Sequence, residues 1–377
     1  MDNNRLAELL FPYIEKTPED YEELYPARDG GGESSGIGDG KIVTRLGPSP
    51  TGFIHLGNLY GAFVDERLAH QSSSAAAPGA DSGRGIFYLR IEDTDDKRFV
   101  DGAVETVINS LRFFGIDFDE GASLPAEGQE YGSAESGSYG PYFQSKRGKI
   151  YQAYAKDIDR KGQAYPCFLT EDDLAGIRQQ QETAKETTGI YGRYAEKNRG
   201  LSYEEIKANI DAGKPYVIRL LAKGNTIDPA HCCMEPGEEC PSKSGNVVYF
   251  NNDGIIYIKI NDAIRGEISM PANYQDVVIL KANGIPTYHF AHVIDDHLMR
   301  TTHVVRGEEW LMSLPIHVEL FEKLGFKMPV YCHTAVLMKV DEETGNKRKL
   351  SKRKDPELSL DYYSSEGYHP QAVKEYL

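Results

Sequence analysis

The sequence predicts an α/β protein, a doubly wound and mostly parallel sheet domain interrupted by an inserted α+β unit. Three observations predict it. A strand–helix–strand–helix rhythm runs over residues 41–115. Within it, residues 86–91 (IFYLRI) form a near-continuous apolar run, as expected for a parallel strand covered on both faces. The rhythm breaks near residue 150 and resumes near Tyr288.

Taken in order, residues 1–40 read as an N-terminal extension and linker. The first part is partly helical, and DGGGESSGIGDG (29–40) has no apolar face. Residues 41–46 form a short strand that ends in a Gly-Pro turn. From His55, apolar side chains at Leu56, Leu59, Tyr60, Phe63 and Leu68 approximate one helical stripe. The apolar strand at 86–91 follows, then an amphipathic helix over 100–114 that stops at Gly115, a C′ glycine. Two small, polar, Gly-rich stretches, 72–85 and 126–140, read as surface insertions. The first half of the α/β domain therefore covers 41–150. The insert covers 151–285, helical at 151–161 and 171–187 and strand-like at 216–221 and 255–260. The second half occupies 286–345, and 346–377 holds a basic loop and the start of a further fold.

Composition removes several classes. The 377 residues are 40% hydrophobic and 27% charged, which is globular rather than disordered. No apolar run approaches the roughly 18 residues of a membrane span, and the N-terminus lacks the basic start of a secretory signal. Five cysteines without framework spacing fit a reducing, cytoplasmic setting. A net charge of −16 argues at first against nucleic acid, but phosphate contacts are local. The run KRKLSKRK (347–354) places six cations in eight residues.

Two segments carry chemistry. PSPTGFIHLGN (48–58) joins a strand to a helix, and a helix N-terminus offers N–H groups and partial positive charge to phosphate. Gly57 admits a nucleotide close to the backbone, and His55 can donate to phosphate oxygens. Alone, the segment would be a proline-rich connection with a histidine in its cap. The second is KLSKR (349–353), a lysine loop able to close on a triphosphate as pyrophosphate leaves. Alone, it would be a solvated basic surface.

Together the two segments resemble the HIGH and KMSKS motifs of the class I aminoacyl-tRNA synthetases, which flank a split Rossmann fold. The chain is most similar to the bacterial glutamyl-tRNA synthetases. Their blocks R-x-x-P-S-P-T-G, R-I-E-D-T-D, G-P-Y-x-Q-S, P-T-Y-H, D-D-H-L-M and E-E-W-L match residues 45–52, 90–95, 140–145, 286–289, 295–299 and 308–311 in order. The resemblance implies a glutamate–tRNA ligase that forms glutamyl-adenylate from ATP and passes the glutamyl group to the 3′ end of tRNA(Glu). It implies glutamate contacts at Arg45, Ser49, Glu92, Tyr288 and Arg306, with His292 where many relatives carry asparagine. The chemistry agrees, because a carboxylate suits a guanidinium fork and an ammonium suits a carboxylate. ATP is implied at His55, Gly57, Asn58, Glu309, Trp310, Lys349, Ser351 and Lys352, with His55 and Lys352 as the catalytic pair and Mg²⁺ on the phosphates. Asp295 and Asp296 are left between lining the site and structural capping.

The pattern departs in places. Asn58 stands where HIGH has its second histidine. The C-x-C that begins a zinc site in some relatives is reduced to Cys167, so no structural zinc is expected. His231, Cys232, Cys233 and Cys240 lack a zinc-knuckle spacing. The expected architecture is thus a split parallel sheet, an inserted acceptor-binding domain and the start of a helical stem-contact fold, without the anticodon-binding region. Expected partners are the tRNA acceptor arm and L-glutamate, with no membrane and a monomeric state. The alternatives are a glutamyl-queuosine tRNA(Asp) synthetase, a non-catalytic tRNA-binding paralogue or fragment, and a glutaminyl-tRNA synthetase, whose R-F-D-D-T differs from Arg90-Ile91-Glu92-Asp93-Thr94 here.

Overall fold

The computed structural model describes residues 2–28, 41–51, 54–72, 84–95, 98–126, 128–224, 237–341, 345–351 and 354–377. The expected linker at 29–40, most of the 72–85 stretch, the His231, Cys232 and Cys233 part of the soft-donor cluster, and Lys352 lie outside the described residues.

Two helices precede the sheet, α1 (Asn3–Leu10) and α2 (Pro18–Leu24). Asp2 caps the first, and Thr17 with Asp20 forms a reciprocal capping box on the second. Leu6, Leu10, Phe11 and Tyr21 join the larger apolar cluster, and Glu22 reaches His297 at 2.6 Å and Arg300 at 2.8 Å. The first sheet holds β1 (Val43–Leu46), β2 (Ile86–Leu89) and β3 (Glu120–Ala122) in parallel, with β4 (Glu135–Ser136) antiparallel on the β3 edge. Helices α3 (Leu56–Gln71) and α4 (Ala103–Phe113) make the crossovers, and Gly115 follows α4 at φ +61°.

Two details differ from the sequence reading. The buried stripe of α3 is Leu56, Leu59, Ala62, Asp65 and Ala69, with Tyr60, Phe63 and Leu68 only half-buried. Two of these positions are alanines, the side chains that leave most room for a neighbouring strand, and Tyr60 lies on the cleft described below. The described part of 126–140 is more than a surface insertion. It contributes β4 and the buried Tyr139, which stacks on Tyr25 at 6.3 Å and donates its hydroxyl to Pro26 O at 2.9 Å. Its tyrosines anchor what its glycines would otherwise leave loose.

Helix α5 (Gly148–Arg160) leads into the insert. There β5 (Ala164–Cys167), α6 (Glu171–Ala184), α7 (Arg193–Arg199), α8 (Tyr203–Asp211) and β6 (Val217–Leu220) come first. They are followed by β7 (Glu239–Pro241), β8 (Val247–Asn252), β9 (Ile255–Asp262), β10 (Gly266–Pro271) and β11 (Val278–Leu280). The strands form two antiparallel sheets, β11–β6–β5 and β10–β9–β8–β7. Buried Asp276 ties the smaller one together, accepting from Tyr165 Oη (2.6 Å), Arg199 Nε (2.7 Å) and the Ala222 N–H (2.9 Å).

The parallel pattern resumes with α9 (Tyr288–Leu298), β12 (His303–Gly307), α10 (Leu314–Leu324) and β13 (Val330–Thr334), the last pairing with β12 in parallel. The halves meet where Thr302 N donates to Val43 O at 3.0 Å and Val43 N donates to Thr302 Oγ1 at 2.8 Å. Across both halves the order is therefore β3–β2–β1–β12–β13. It reverses between β1 and β12, and in such folds ligands bind outside the carboxyl ends of the strands at that reversal. A hairpin of β14 (Met338–Val340) and β15 (Lys347–Lys349) follows, then α11 (Leu360–Ser365) and α12 (Pro370–Tyr376). Among the described residues no helix is long and apolar enough to cross a membrane.

Asp159 of α5 gives a test of this packing. It is 1% exposed, and neither carboxylate oxygen has a hydrogen-bond partner among the described residues. Burial pushes its carboxyl up to about 7. An unfolded aspartate titrates near pH ~4, so the stability linked to this proton is full below that value and is lost as pH rises towards 7. Asp159→Asn removes the loss. Urea unfolding at pH 5 and pH 8 is expected to show the variant gaining on the native chain with pH, by about 3 kcal/mol at most.

Candidate active site at the strand-order reversal

The loop leaving β1 enters α3 through His55, which is the helix N-cap. His55 Nδ1 accepts the Asn58 N–H at 3.3 Å, and Asn58 Oδ1 accepts the His55 N–H at 3.2 Å. A ring nitrogen that accepts is unprotonated, so neutral His55 carries its proton on Nε2. A cleft of about 810 Å³ opens here. Of the residues singled out for an amino acid, Arg45, Ser49, Glu92, Tyr288 and Arg306 line it. Of those singled out for a nucleotide, His55, Gly57, Asn58, Glu309, Trp310 and Lys349 line it as well. Residues separated by some 300 positions in sequence thus share one cavity.

His292 and Ser351 are not on the lining. His292 is fully buried, stacked beneath Tyr288 at 5.6 Å, with Nε2 3.1 Å from Tyr331 Oη. Ser351 donates its N–H to Asp355 (2.8 Å), and the cleft wall there is made by Lys349 and Leu350. Trp310 is not core-packed; it is 36% exposed with its ring 4.4 Å from Tyr288. Gly47 follows β1 and Gly307 ends β12, and each faces a carboxylate. A Cβ on Gly47 would strike Glu92, and one on Gly307 would strike Glu309.

Beneath the cleft lies a buried charge network. Asp296 Oδ1 accepts from Arg90 at 2.6 Å and from Arg45 Nε at 3.3 Å, while Arg90 also reaches Glu92 at 3.0 Å. Asp295 takes Arg147 Nε at 2.7 Å, Gln144 at 2.8 Å and the Tyr151 hydroxyl at 2.8 Å. Both aspartates are buried and off the cleft wall, so their contacts are structural. Burial works against the Arg45 and Arg90 charges, yet Asp296 beside them holds both guanidiniums above their usual range. Burial likewise pushes the Glu92 carboxyl up, with Arg90 and Arg45 pulling it back. Asp65 also lines the cleft, with neither oxygen partnered among the described residues, and burial pushes it well up against the pull of Arg45.

Arg306 has a different set of partners. Its Nε donates to His333 Nε2 at 2.9 Å, one terminal nitrogen lies 3.1 Å from His317 Nδ1, and the other donates to Trp310 O at 3.4 Å. Burial and the Arg306 charge hold His333 down at about 4. Burial, the neighbouring His292 and Arg306 keep His317 well below its ordinary value. Among the described residues, no carboxylate pairs with Arg306.

The sequence reading missed His317, His333, Asp262, Arg90 and Asp65. Asp65 had a signal, a lone carboxylate on the apolar face of α3. So did His333, a histidine inside the strand VYCHT. Neither signal indicated which arginine it would serve. Among the described residues no group of three or more His, Cys, Asp or Glu is placed to hold a metal ion.

A crevice of about 810 Å³ at the reversal of a split parallel sheet, with arginines and a glutamate in its walls, marks an α/β fold of the class that binds small charged ligands at that reversal. The match to known families is specific. The tRNA synthetases class I (E and Q), catalytic domain, match residues 41–235 and 230–377, and the chain belongs to that family. It is 53% identical to the glutamate–tRNA ligase of Acetivibrio thermocellus over all of this chain and 59% of the relative. It is 48% identical to that of Clostridium perfringens strain 13, again over all of this chain and 59% of the relative. The chain thus spans about 59% of the length of these curated relatives. A crystal structure of a glutamate tRNA ligase from Elizabethkingia meningosepticum, in complex with its amino acid, superposes with a TM-score of 0.60 at 31% identity. That match covers 88% of this chain and 59% of the other.

Asp296→Asn is isosteric but removes the charge shared by Arg45 and Arg90. Chemical denaturation is expected to show a loss of roughly 3–5 kcal/mol, the cost of leaving buried charges uncompensated.

Proposed function

We propose that the chain activates L-glutamate with ATP and transfers the glutamyl group to the 3′ end of tRNA(Glu). The observation that carries this reading is Arg306, a buried guanidinium on the cleft wall with no carboxylate partner among the described residues. The curated relatives described above are all glutamate–tRNA ligases, and the amino-acid-bound neighbour has the same fold.

In this reading Arg306 and Arg45 take the side-chain carboxylate of glutamate. Glu92 takes its ammonium, with Ser49 and Tyr288 completing the pocket. Glutamine would leave Arg306 without a counter-charge in a desolvated site, a penalty of several kcal/mol by order of magnitude. The α-carboxylate oxygen attacks the α-phosphorus of ATP and pyrophosphate leaves. The terminal ribose hydroxyl of tRNA then attacks the carbonyl carbon, and AMP leaves. His55 Nε2–H and the start of α3 face the phosphates, and Lys349 with Lys352 offsets charge on the departing pyrophosphate. Mg²⁺ would arrive with ATP on the triphosphate oxygens, where it neutralises phosphate charge. No side chain is needed as a nucleophile; positioning and charge stabilisation carry the chemistry.

The remaining features belong to the same proposal. Residues 151–285 are the acceptor-binding insert, residues 346–377 the lysine loop and the start of a stem-contact fold, and the protein is a cytoplasmic monomer.

The test is ATP–pyrophosphate exchange with glutamate, glutamine as control, with and without total tRNA. Glutamate-dependent exchange that requires tRNA supports the reading. Exchange without tRNA favours a queuosine-modifying enzyme, and none in either condition favours a non-catalytic tRNA-binding chain. Arg306→Gln is expected to lower kcat/KM for glutamate by about 10²–10³-fold, in line with losing one partner of a buried charge pair, while KM for ATP stays within about threefold.

A further inference from the structure

We propose that Asp262 and His333 are positioning residues for the substrate carboxylate, acting through Arg306. The inference rests on the glutamate-binding reading above and adds residues that no part of that reading uses.

The hydrogen-bond directions are fixed by chemistry. A guanidinium only donates, so His333 Nε2, 2.9 Å from Arg306 Nε, must accept and carries no proton. The proton of neutral His333 therefore sits on Nδ1, which is 2.6 Å from Asp262 Oδ2. Asp262 is itself immobilised. Its Oδ1 accepts the N–H groups of Ile264 at 3.0 Å and Arg265 at 2.9 Å, and the His333 N–H lies 3.1 Å from Oδ2. The carboxylate selects one imidazole tautomer, and that tautomer alone presents an acceptor to Arg306. The same argument applies to His317. Its Nδ1 accepts from Arg306 at 3.1 Å, so its Nε2–H points at His289 Nδ1, 3.0 Å away.

Counting the donors shows what this arrangement is for. An arginine has five N–H donors. Arg306 gives one to His333, one to His317 and one to Trp310 O. Two remain, one on each terminal nitrogen, and Arg306 lies on the cleft wall. One free N–H on each terminal nitrogen is the number that a two-point grip on a carboxylate uses. The Tyr331 ring, 4.6 Å from the guanidinium, holds its plane. All of these partners are neutral, so the positive charge is left to the substrate. A direct Asp262–Arg306 pair would have fixed the side chain equally well and cancelled that charge. The interposed imidazole transmits orientation without neutralisation.

Asp262 ends β9 in the insert, whereas Arg306 and His333 sit side by side on β12 and β13. The carboxylate pocket therefore depends on a residue of the inserted unit. Asp262 and His333 are 2% and 0% exposed and neither lines the cleft, so neither touches substrate.

Trp310 is the only tryptophan and stands on the cleft wall, so its fluorescence reports glutamate binding without requiring catalysis. The titrant is L-glutamate, with ATP titrated separately. His333→Leu and Asp262→Ala are expected to weaken glutamate binding by roughly 10- to 100-fold, the range seen when the group orienting a ligand-holding side chain is lost. ATP affinity is expected to stay within about threefold. Two near-isosteres separate orientation from folding. His333→Gln can place an amide oxygen where Nε2 accepts from Arg306, and His333→Asn cannot. At equal melting temperature, Gln is expected to bind glutamate more tightly than Asn. Native-chain binding with all four variants unaffected, or with Asn and Gln equally impaired, overturns this inference alone. A native chain that binds ATP but gives no response to glutamate overturns the inference together with the glutamate reading.

Discussion

Asp296 accepts hydrogen bonds from Arg90 and Arg45, and the rest of the site is arranged around that junction. Arg45 belongs to β1, Arg90 directly follows β2, and Asp296 belongs to α9, more than 200 residues away in sequence. The junction therefore clamps the first half of the split sheet to the second at the point where the strand order reverses. Arg90 is fully buried, and so is Arg147, which grips Asp295 one residue along α9. Buried ion pairs of this kind contribute little net stability, because desolvation offsets most of the attraction. Their effect is specificity of arrangement. A slip of α9 by one residue would bring an aspartate to only one of Arg90 and Arg147 and leave the other charge unpaired.

Arg45 and Arg306, both on the cleft wall, are consequently not equivalent. Arg45 is tied to Asp296 and to Val305 O (3.2 Å), so part of its charge is answered within the protein. Arg306 is held by imidazoles and a carbonyl, with its charge intact. Of the two, Arg306 offers an entering carboxylate the less compensated charge. Glu92, bonded to Arg90 and set against Gly47, puts a carboxylate on the same cleft wall. The cleft wall thus carries charges of both signs, which is what the proposed glutamate reading needs.

Much of the fold was legible in the sequence because its parallel strands are short apolar runs with helices between them. The first strand, α3, the apolar strand, α4 and the C′ glycine at 115 all fall where periodicity put them. The insert was read only in part. Its predicted strands at 216–221 and 255–260 correspond to β6 and β9, but α7, α8 and the other five strands were missed, β8 and β10 among them. Their sequences, VVYFNN and GEISMP, mix polar and apolar residues on a half-exposed antiparallel sheet, which leaves a weak pattern. Within the site, the residues that line the cleft were legible because they sit in motif blocks. The residues behind them were not, because His317, His333 and Asp262 come from three separate elements that only the folded chain brings together. Asp295 and Asp296 show the limit from the other side: the motif was visible, but their inward orientation depends on α9 lying between two arginines.

His55 illustrates how one residue meets a folding requirement and a chemical one together. As N-cap it accepts the Asn58 N–H with Nδ1, and Asn58 returns the bond through its amide oxygen. That box satisfies one of the unpaired N–H groups at the start of α3 and settles the imidazole tautomer. A histidine at position 58 could return the bond only through a ring nitrogen, on a longer and bulkier side chain. The amide fits the box with less reach, so the departure from HIGH at Asn58 is accounted for by helix capping. Capping by itself would be satisfied by serine or aspartate, and neither would leave an N–H donor on a ring directed away from the helix. The choice of histidine at the cap is explained only by the cleft it borders, and the choice of asparagine three residues later only by that histidine.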